Sequence, residues 1–241
     1  GRHNAFDKLI VEKAKSLGIT VIITDHHLAA ESLPLADAIV NPNQPGCGFL
    51  SKNLAGVGVA FYLMLALRAE LKSIDWFQQN NLAIPNLADL LDVVALGTVA
   101  DVVPLDDNNR ILIHQGLQRI RSDRCRPGIQ AIIDVAGKDK SRLVASDLGF
   151  VVGPRLNAAG RLGQARLAVE LLTTEDEERA TSLATYLDQL NKNRQTVERR
   201  IVKQAKEMLE SNPAWAELPV IVLADEDWHS GVIGIVAGKL S

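Results

Sequence analysis

What the chain lacks narrows the field before any motif is considered. It has only two cysteines, Cys47 and Cys125, and they form neither a zinc-type pair nor a redox CxxC. They read as buried or idle thiols in a reducing compartment. No apolar run approaches the ~20 residues that a membrane span needs. No basic, apolar, small-residue signal pattern opens the chain either. Those absences favour a cytoplasmic protein away from the membrane, although position 1 is not Met. An excess of positive charge is also missing. The net charge is −3, so the total does not advertise nucleic-acid binding, although a polyanion responds to local patches more than to totals. There is no internal repeat and no low-complexity segment.

What is present is a chain of 241 residues, 47% of them hydrophobic. That suffices for one large domain, or for one domain and part of another. The sequence starts at Gly1 and stops at Ser241 inside an unfinished apolar pattern, so a piece of a longer protein is expected. "FDKLIVEKAKSLG" spaces Leu9, Ile10, Ala14 and Leu17 as a helix closed by Gly18. "ITVIIT" is a β-branched run too continuous for a half-exposed strand and reads as a buried parallel strand. "ADAIVNP" is a second short strand, ended by Pro42. Helix, strand, loop, strand predicts an α/β parallel sheet.

From Asn53 onward helices dominate. "NLAGVGVAFYLMLALRAEL" reads as a core helix, with Gly56 and Gly58 there for close packing or for approach to a ligand. "NLADLLDVVALGTVADVVPL" is expected to end in a Gly-Thr turn before Asp101. "NNRILIHQGLQRIRS", capped by Asn, and "RPGIQAIIDVAG", with Pro at its start, are two further helices. Leu183, Leu187, Leu190, Val197, Ile201, Ala205 and Met208 keep a three/four spacing on a charged background. That is a long amphipathic helix, of the kind that bridges domains or forms a coiled coil. "LPVIVLAD" then predicts a strand, and "SGVIGIVAGKL" a helix after it.

The chemistry-bearing residues fall at the ends of these elements. Asp25, His26 and His27 end the first strand, where open α/β sheets bind ligands. Neighbouring side chains on an extended chain point to opposite sides, so the two imidazoles can serve one site only if the chain turns there. A metal site is one reading and a loop of satisfied polar groups the other. Asp101 stands between the apolar pairs Val99-Ala100 and Val102-Val103, where a buried carboxylate needs a cation or several donors. A helix cap explains it equally well. Imidazole with carboxylate suits Mn2+ or a similar ion, while Mg2+ prefers oxygen alone. In "GFVVGPRLNAAGRLG", Arg155, Asn157 and Arg161 sit among glycines as phosphate donors, or as surface side chains of a glycine-rich loop. Arginines 119, 121, 124 and 126, and the basic residues of the long helix, could follow a nucleic-acid backbone or form a solvated face. Trp228 and His229 precede a helix start that an ordinary cap explains.

In this order, "VIITDHHL", "AIVNPNQ", "LLDVVALGTVADVVPLDDNNRILIHQGLQRIR" and "SDLGFVVGPRLNAAGRL" resemble the DHH phosphoesterase superfamily. The similarity is greatest to its bacterial exonucleases specific for single strands, and it covers nearly the whole chain from about residue 8. "WHSGVIGIVAGKL" resembles the opening of the associated second domain. The resemblance implies a partial DHH catalytic domain over 1–175, a long connecting helix over 176–210, and a truncated DHH-associated α/β domain over 216–241. It implies metal-dependent 5′-to-3′ hydrolysis of single-stranded DNA in the cytoplasm, in DNA repair and recombination alongside proteins of those pathways, by an enzyme monomeric at full length. Two ions, Mn2+ or Mg2+, are expected in that full-length protein. His26 and Asp101 would bind metal, Asp25 would support them, and His27 would face the scissile phosphate. Arg155, Asn157 and Arg161 would lie near the phosphate path. The family's upstream Asp motifs are not supplied by "GRHNAF", so the 241 residues alone are expected to show little nuclease activity. The alternatives are another DHH phosphoesterase, acting on oligonucleotides, pAp or cyclic dinucleotides, and an inactive replication scaffold.

Overall fold

The computed structural model describes residues 3–161 and 163–240. Gly1, Arg2, Leu162 and Ser241, all of which figure in the stretches above, lie outside them. The chain divides into two compact units, Gly1–Cys125 with Ser141–Gly149, and Arg126–Lys140 with Phe150–Ser241.

In the first unit, α1 (His3–Ser16) stops where Gly18 adopts φ +73°. The Gly18 and Ile19 N–H groups then bond back to the Lys15 and Ala14 carbonyls, satisfying the free carbonyls of the last turn. The apolar spacing on α1 does not define a buried face. Val11 is buried, whereas Leu9, Ile10 and Leu17 are exposed. β1 (Ile22–Thr24) and β2 (Ala38–Val40) pair in parallel, Ile22 with Ala38 and Thr24 with Val40. A parallel sheet is present as expected, but the burial of its first strand is not. Ile22 is 63% exposed, because the sheet has two strands among the described residues, and burial of a parallel strand needs covered faces and neighbours on both flanks.

α2 (Gly56–Ser73) starts three residues later than its sequence suggests and buries Gly58, Val59 and Phe61. Val59 and Phe61 join Leu54, Leu87, Val94 and Leu112 in a core against which Val40, Phe49 and Tyr62 pack. After the short α3 (Trp76–Gln79) and a 3-10 turn, α4 (Leu91–Ala100) passes straight through Gly97 and Thr98. The expected Gly-Thr turn does not exist. Thr98 Oγ1 donates to the Val94 carbonyl inside the helix, and Gly97 leaves room for Val57 of α2. α5 (Asp107–Arg121) is capped by Asp106, whose Oδ1 accepts the Asn109 N–H at 2.9 Å; the cap is therefore an aspartate and not an asparagine. α4 and α5 approach so closely at Gly116 that a Cβ there would lie 2.2 Å from the Leu91 carbonyl oxygen.

The second unit begins with α6 (Pro127–Val135), Pro127 in its first turn. Beyond α7 (Ala145–Asp147), which belongs to the first unit, a π-helical turn (Leu148–Val152) leads into α8 (Gly153–Arg161). The segment expected as a glycine-rich loop is thus helical. Pro154 has no N–H to offer the preceding turn, and the π turn sits just before it. Then come α9 (Ala165–Thr173), α10 (Glu177–Glu210) and α11 (Ser230–Leu240). α10 has 34 residues and buries Leu183, Leu187, Leu190, Ile201 and Ala205. It packs against α6, α8, α9 and α11, as the spine of its own unit and not a bare connector. Glu198 accepts from Arg194 at 2.7 Å and pairs with Lys239 of α11.

No strand forms at "LPVIVLAD". Val220 and Val222 are 71% and 85% exposed, because among the described residues no neighbouring strand takes up their N–H and C=O groups. Together with α10 and α11 this stretch bounds an apolar cavity of about 740 Å³. Among the described residues from 218 onward, α11 is the one regular element. No described helix is long and apolar enough to cross a membrane.

Candidate metal centre

The Asp25-His26-His27 turn is built by its own first residue. The Asp25 N–H donates to the Val40 carbonyl at 3.0 Å, the last rung between β1 and β2. Its carboxylate Oδ1 then accepts from the backbone N–H of His26 at 2.7 Å and of His27 at 3.1 Å. A carboxylate that captures the next two N–H groups turns the chain away from the extended course. The same oxygen lies 2.7 Å from His27 Nδ1. The two imidazoles consequently stand close together, centroids 4.2 Å apart. Partial burial of Asp25 works to raise its pKa, but the His27 ring and the two backbone N–H groups outweigh it and hold the carboxyl below its usual value.

α4 brings the distant acid to this turn. Asp101 caps its C-terminus, and Asp101 Oδ2 lies 3.5 Å from His26 Nε2. Two donors each about 2.1 Å from one ion can be at most about 4.2 Å apart, so this separation fits a shared cation. One ligand atom from each of Asp25, His26 and His27 also falls within 4.8 Å of the others. The donor set fits Mn2+ better than Mg2+, since it mixes imidazole with carboxylate. Asp101 is not buried among its apolar neighbours. Its side chain is 39% exposed, and Val102 beside it is 86% exposed. Val102 holds φ +58°, a left-handed conformation that a β-branched side chain rarely adopts.

Sequence reasoning passed over the side chains behind the turn. Asn41 Nδ2 donates to the His27 carbonyl at 2.9 Å, and Asn43 Nδ2 to the His26 carbonyl at 2.8 Å. Their only signal was the pair of Asn residues around Pro42 at a strand end. Gly56, at the start of α2, meets the His26 ring. A Cβ there would be 3.3 Å from Cδ2, so the glycine serves approach to a side chain, whereas Gly58 serves packing against Leu54. Asp106 further ties the α4–α5 connection to residues before α2. Its Oδ2 accepts from Ser51 Oγ at 2.7 Å, and Asn109 Nδ2 reaches the Asn53 carbonyl at 2.7 Å.

Arg155, Asn157 and Arg161 belong to the second unit and are not part of this turn. Arg155 is committed. Its Nη2 lies 2.8 Å from Asp188 Oδ1 and its Nη1 donates to the Val151 carbonyl. Burial alone would raise the Asp188 pKa, but the Lys192 hydrogen bond and the charges of Arg155 and Lys192 hold it below the usual range. Asn157 and Arg161 are exposed, Arg161 donating to the Gly231 carbonyl at 3.1 Å. The arginine cluster is largely spent on structure. Arg119 pairs with Asp89, Arg121 holds the Leu143 carbonyl, and Arg126 holds that of Leu172.

Known proteins share this arrangement of sequence and fold. Residues 3–98 match the N-terminal domain of the DHH family. The chain is 54% identical over 232 residues to the single-stranded-DNA-specific exonuclease RecJ of Escherichia coli (strain K12), covering 95% of this chain and 40% of that protein. Identity to the RecJ of Bacillus subtilis (strain 168) is 44% over 227 residues, 94% of this chain and 27% of that one. The chain thus spans well under half the length of these relatives. A crystal structure of exonuclease RecJ bound to manganese superposes with TM-score 0.79 at 33% identity, covering 98% of this chain and 55% of that one. RecJ from Thermus thermophilus in complex with Mn2+ gives 0.75 at 33% identity, covering 99% and 33%. Residues 3–98 are therefore similar to the N-terminal domain of the DHH family, and most of the chain is similar in sequence and fold to part of RecJ.

Proposed function

We propose that this chain is the part of a metal-dependent exonuclease that holds one side of its metal centre, and that the whole protein removes nucleotides from the 5′ end of single-stranded DNA. The observation that carries the reading is the meeting of His26 Nε2 and Asp101 Oδ2, from a strand end and a helix end, beside Asp25 and His27. Similarity to single-stranded-DNA-specific exonucleases supports the substrate class. Solved RecJ structures with Mn2+ or Mg2+ support the choice of cofactor.

His26 and Asp101 would hold the ion. A bound divalent cation supplies a more acidic water and neutralises phosphoryl oxygens, which otherwise repel an incoming hydroxide. The remaining work falls to the protein. Asp25 spends Oδ1 on the turn and on His27 Nδ1, which fixes the ring and leaves His27 Nε2 turned to other partners. His27 is 73% exposed at its side chain, so Nε2 is open to a phosphoryl oxygen. When protonated, it can donate a hydrogen bond or a proton to the departing oxygen. Asn157 and Arg161 are the phosphate contacts of the second unit, and Arg155 supports α8 by its ion pair. A cytoplasmic protein of DNA repair and recombination would meet such a substrate.

The test is to give the full-length protein Mn2+ with a long 5′-phosphorylated single strand, and separately with a dinucleotide. Stepwise release of mononucleotides from the 5′ end of the long strand is expected. Cleavage confined to the dinucleotide would replace this reading with that of a small-substrate DHH phosphoesterase.

A further inference from the structure

Asn41 and Asn43 are the residues of the first unit whose hydrogen bonds end on the histidine turn without any part in the chemistry proposed for it. Asn41 is only 5% exposed, and a nearly buried amide must spend its donors well. It gives one to the His27 carbonyl, while its Oδ1 accepts the Asn43 N–H at 2.8 Å. Asn43 gives its amide to two carbonyls at once, His26 at 2.8 Å and Lys52 at 3.0 Å. Lys52 returns the hold, its ammonium donating to the Pro42 and Cys47 carbonyls at 2.7 and 2.8 Å. Two consecutive peptide planes, those that carry the His26 and His27 carbonyls, are therefore gripped by side chains that are braced against each other and against the loop. Gly56, at the start of α2, leaves the His26 ring a tight berth.

We propose that Asn41 and Asn43 are positioning residues that set the affinity of the centre for its divalent cation, by fixing the peptide planes from which His26 and His27 project. The inference rests on the functional reading above. Ligand atoms have a tolerance of about 0.2 Å in their distance to an ion, and a freed peptide plane swings a ring by more than that. Groups that orient ligands from behind typically govern metal affinity by about 10–100-fold. Asn43→Asp and Asn41→Asp are nearly isosteric but turn donors into acceptors, so each sets a carboxylate oxygen against a carbonyl oxygen. Gln44→Ala is the control. Gln44 lies in the same loop and donates to the Ile39 carbonyl, with no bond to the histidine turn.

The experiment is Mn2+ titration of the full-length protein by calorimetry, with thermal unfolding of the metal-free protein measured in parallel. Asn43→Ser, which removes the grip without adding charge, stands in wherever an aspartate variant does not fold. The expected result is Mn2+ affinity at least about 10-fold weaker in the Asn41 and Asn43 variants and unchanged in Gln44→Ala. Unchanged affinity in the Asn variants, beside normal binding by the unaltered protein, overturns the inference and leaves the hydrolase reading standing. An equal loss in Gln44→Ala also overturns it, since loop stability alone would then account for the effect. Failure of the unaltered full-length protein to bind Mn2+ removes the functional reading and this inference with it.

Discussion

Nε2 of His26 and Oδ2 of Asp101 stand 3.5 Å apart, the first just past the end of β1 and the second at the last turn of α4. A hydrogen bond of full strength would draw them closer. Two ligands that held one cation would keep about this separation.

His26→Ala and Asp101→Ala should each weaken Mn2+ binding by about 100-fold or more, since even residues that merely orient a ligand cost about 10–100-fold. Calorimetric titration with Mn2+ checks this, and single-strand hydrolysis by the full-length protein should fall in parallel. Both side chains are partly exposed, so the unfolding temperature should hardly move. Near-normal binding in either variant would remove the proposed ligand role.

The Asp188 ion pair gives a pH prediction. Its carboxyl is held below the usual value in the folded chain, while an unfolded aspartate titrates near pH ~3.9. Between those two values the unfolded chain binds the extra proton. The stability from Asp188 is therefore complete above about pH 4 and is lost as pH falls through the folded value. Asp188→Asn should flatten that acid limb in thermal melts. At neutral pH it should cost about 3 kcal/mol, because Arg155 is left without its nearly buried partner.

Two glycines should respond in opposite directions. Gly116→Ala would drive a methyl group into the α4 backbone at Leu91 and should destabilise the first unit by about 3 kcal/mol. Gly234→Ala on α11 meets nothing within 4 Å and should stabilise by about 0.5–1 kcal/mol through helix propensity. Denaturant unfolding of the two variants decides both.

Val102→Asn should stabilise the protein by about 1 kcal/mol. A left-handed conformation costs an L-residue about 1–2 kcal/mol, and asparagine tolerates it. Little packing is lost, because Val102 is 86% exposed. A lower melting temperature in this variant would show that the valine has contacts worth more than its strain.

That valine also explains what the sequence could and could not disclose. Helices usually stop at Gly or Asn, so Gly97-Thr98 looked like the end of α4. The actual stop falls at Asp101, where Val102 turns left-handed shortly before Pro104, a signal that the nearer Gly97-Thr98 pair masked. Packing decided "GFVVGPRLNAAGRLG". Its glycines suggested a loop, yet Ala158 and Ala159 are fully buried on α8, and burial outweighed propensity. Long-period signals survived best. α10 begins at Asp176-Glu177 and ends at Glu210, close to the expected limits, because many turns of repeated spacing average out local exceptions. The nearness of His26 to Asp101, beside Asp25 and His27, was suggested by the order of these motifs along the chain. Asn41 and Asn43 were not, because a side chain that grips a carbonyl leaves no pattern in the sequence.

The loop between Asn43 and Lys52 has a practical use. Its ends are clasped to each other, the Phe49 ring rests on Tyr62 with centroids 5.0 Å apart, and Ser51 is bound to Asp106. Leu50, 97% exposed, is left as a free vertex. The closure penalty of a longer loop grows slowly, by about 0.6 kcal/mol per doubling of length. An epitope or fluorescent reporter spliced in at Leu50 should therefore leave the histidines in register. The same insertion beside Cys47 would break the grip of the Lys52 ammonium and carry the disturbance inward.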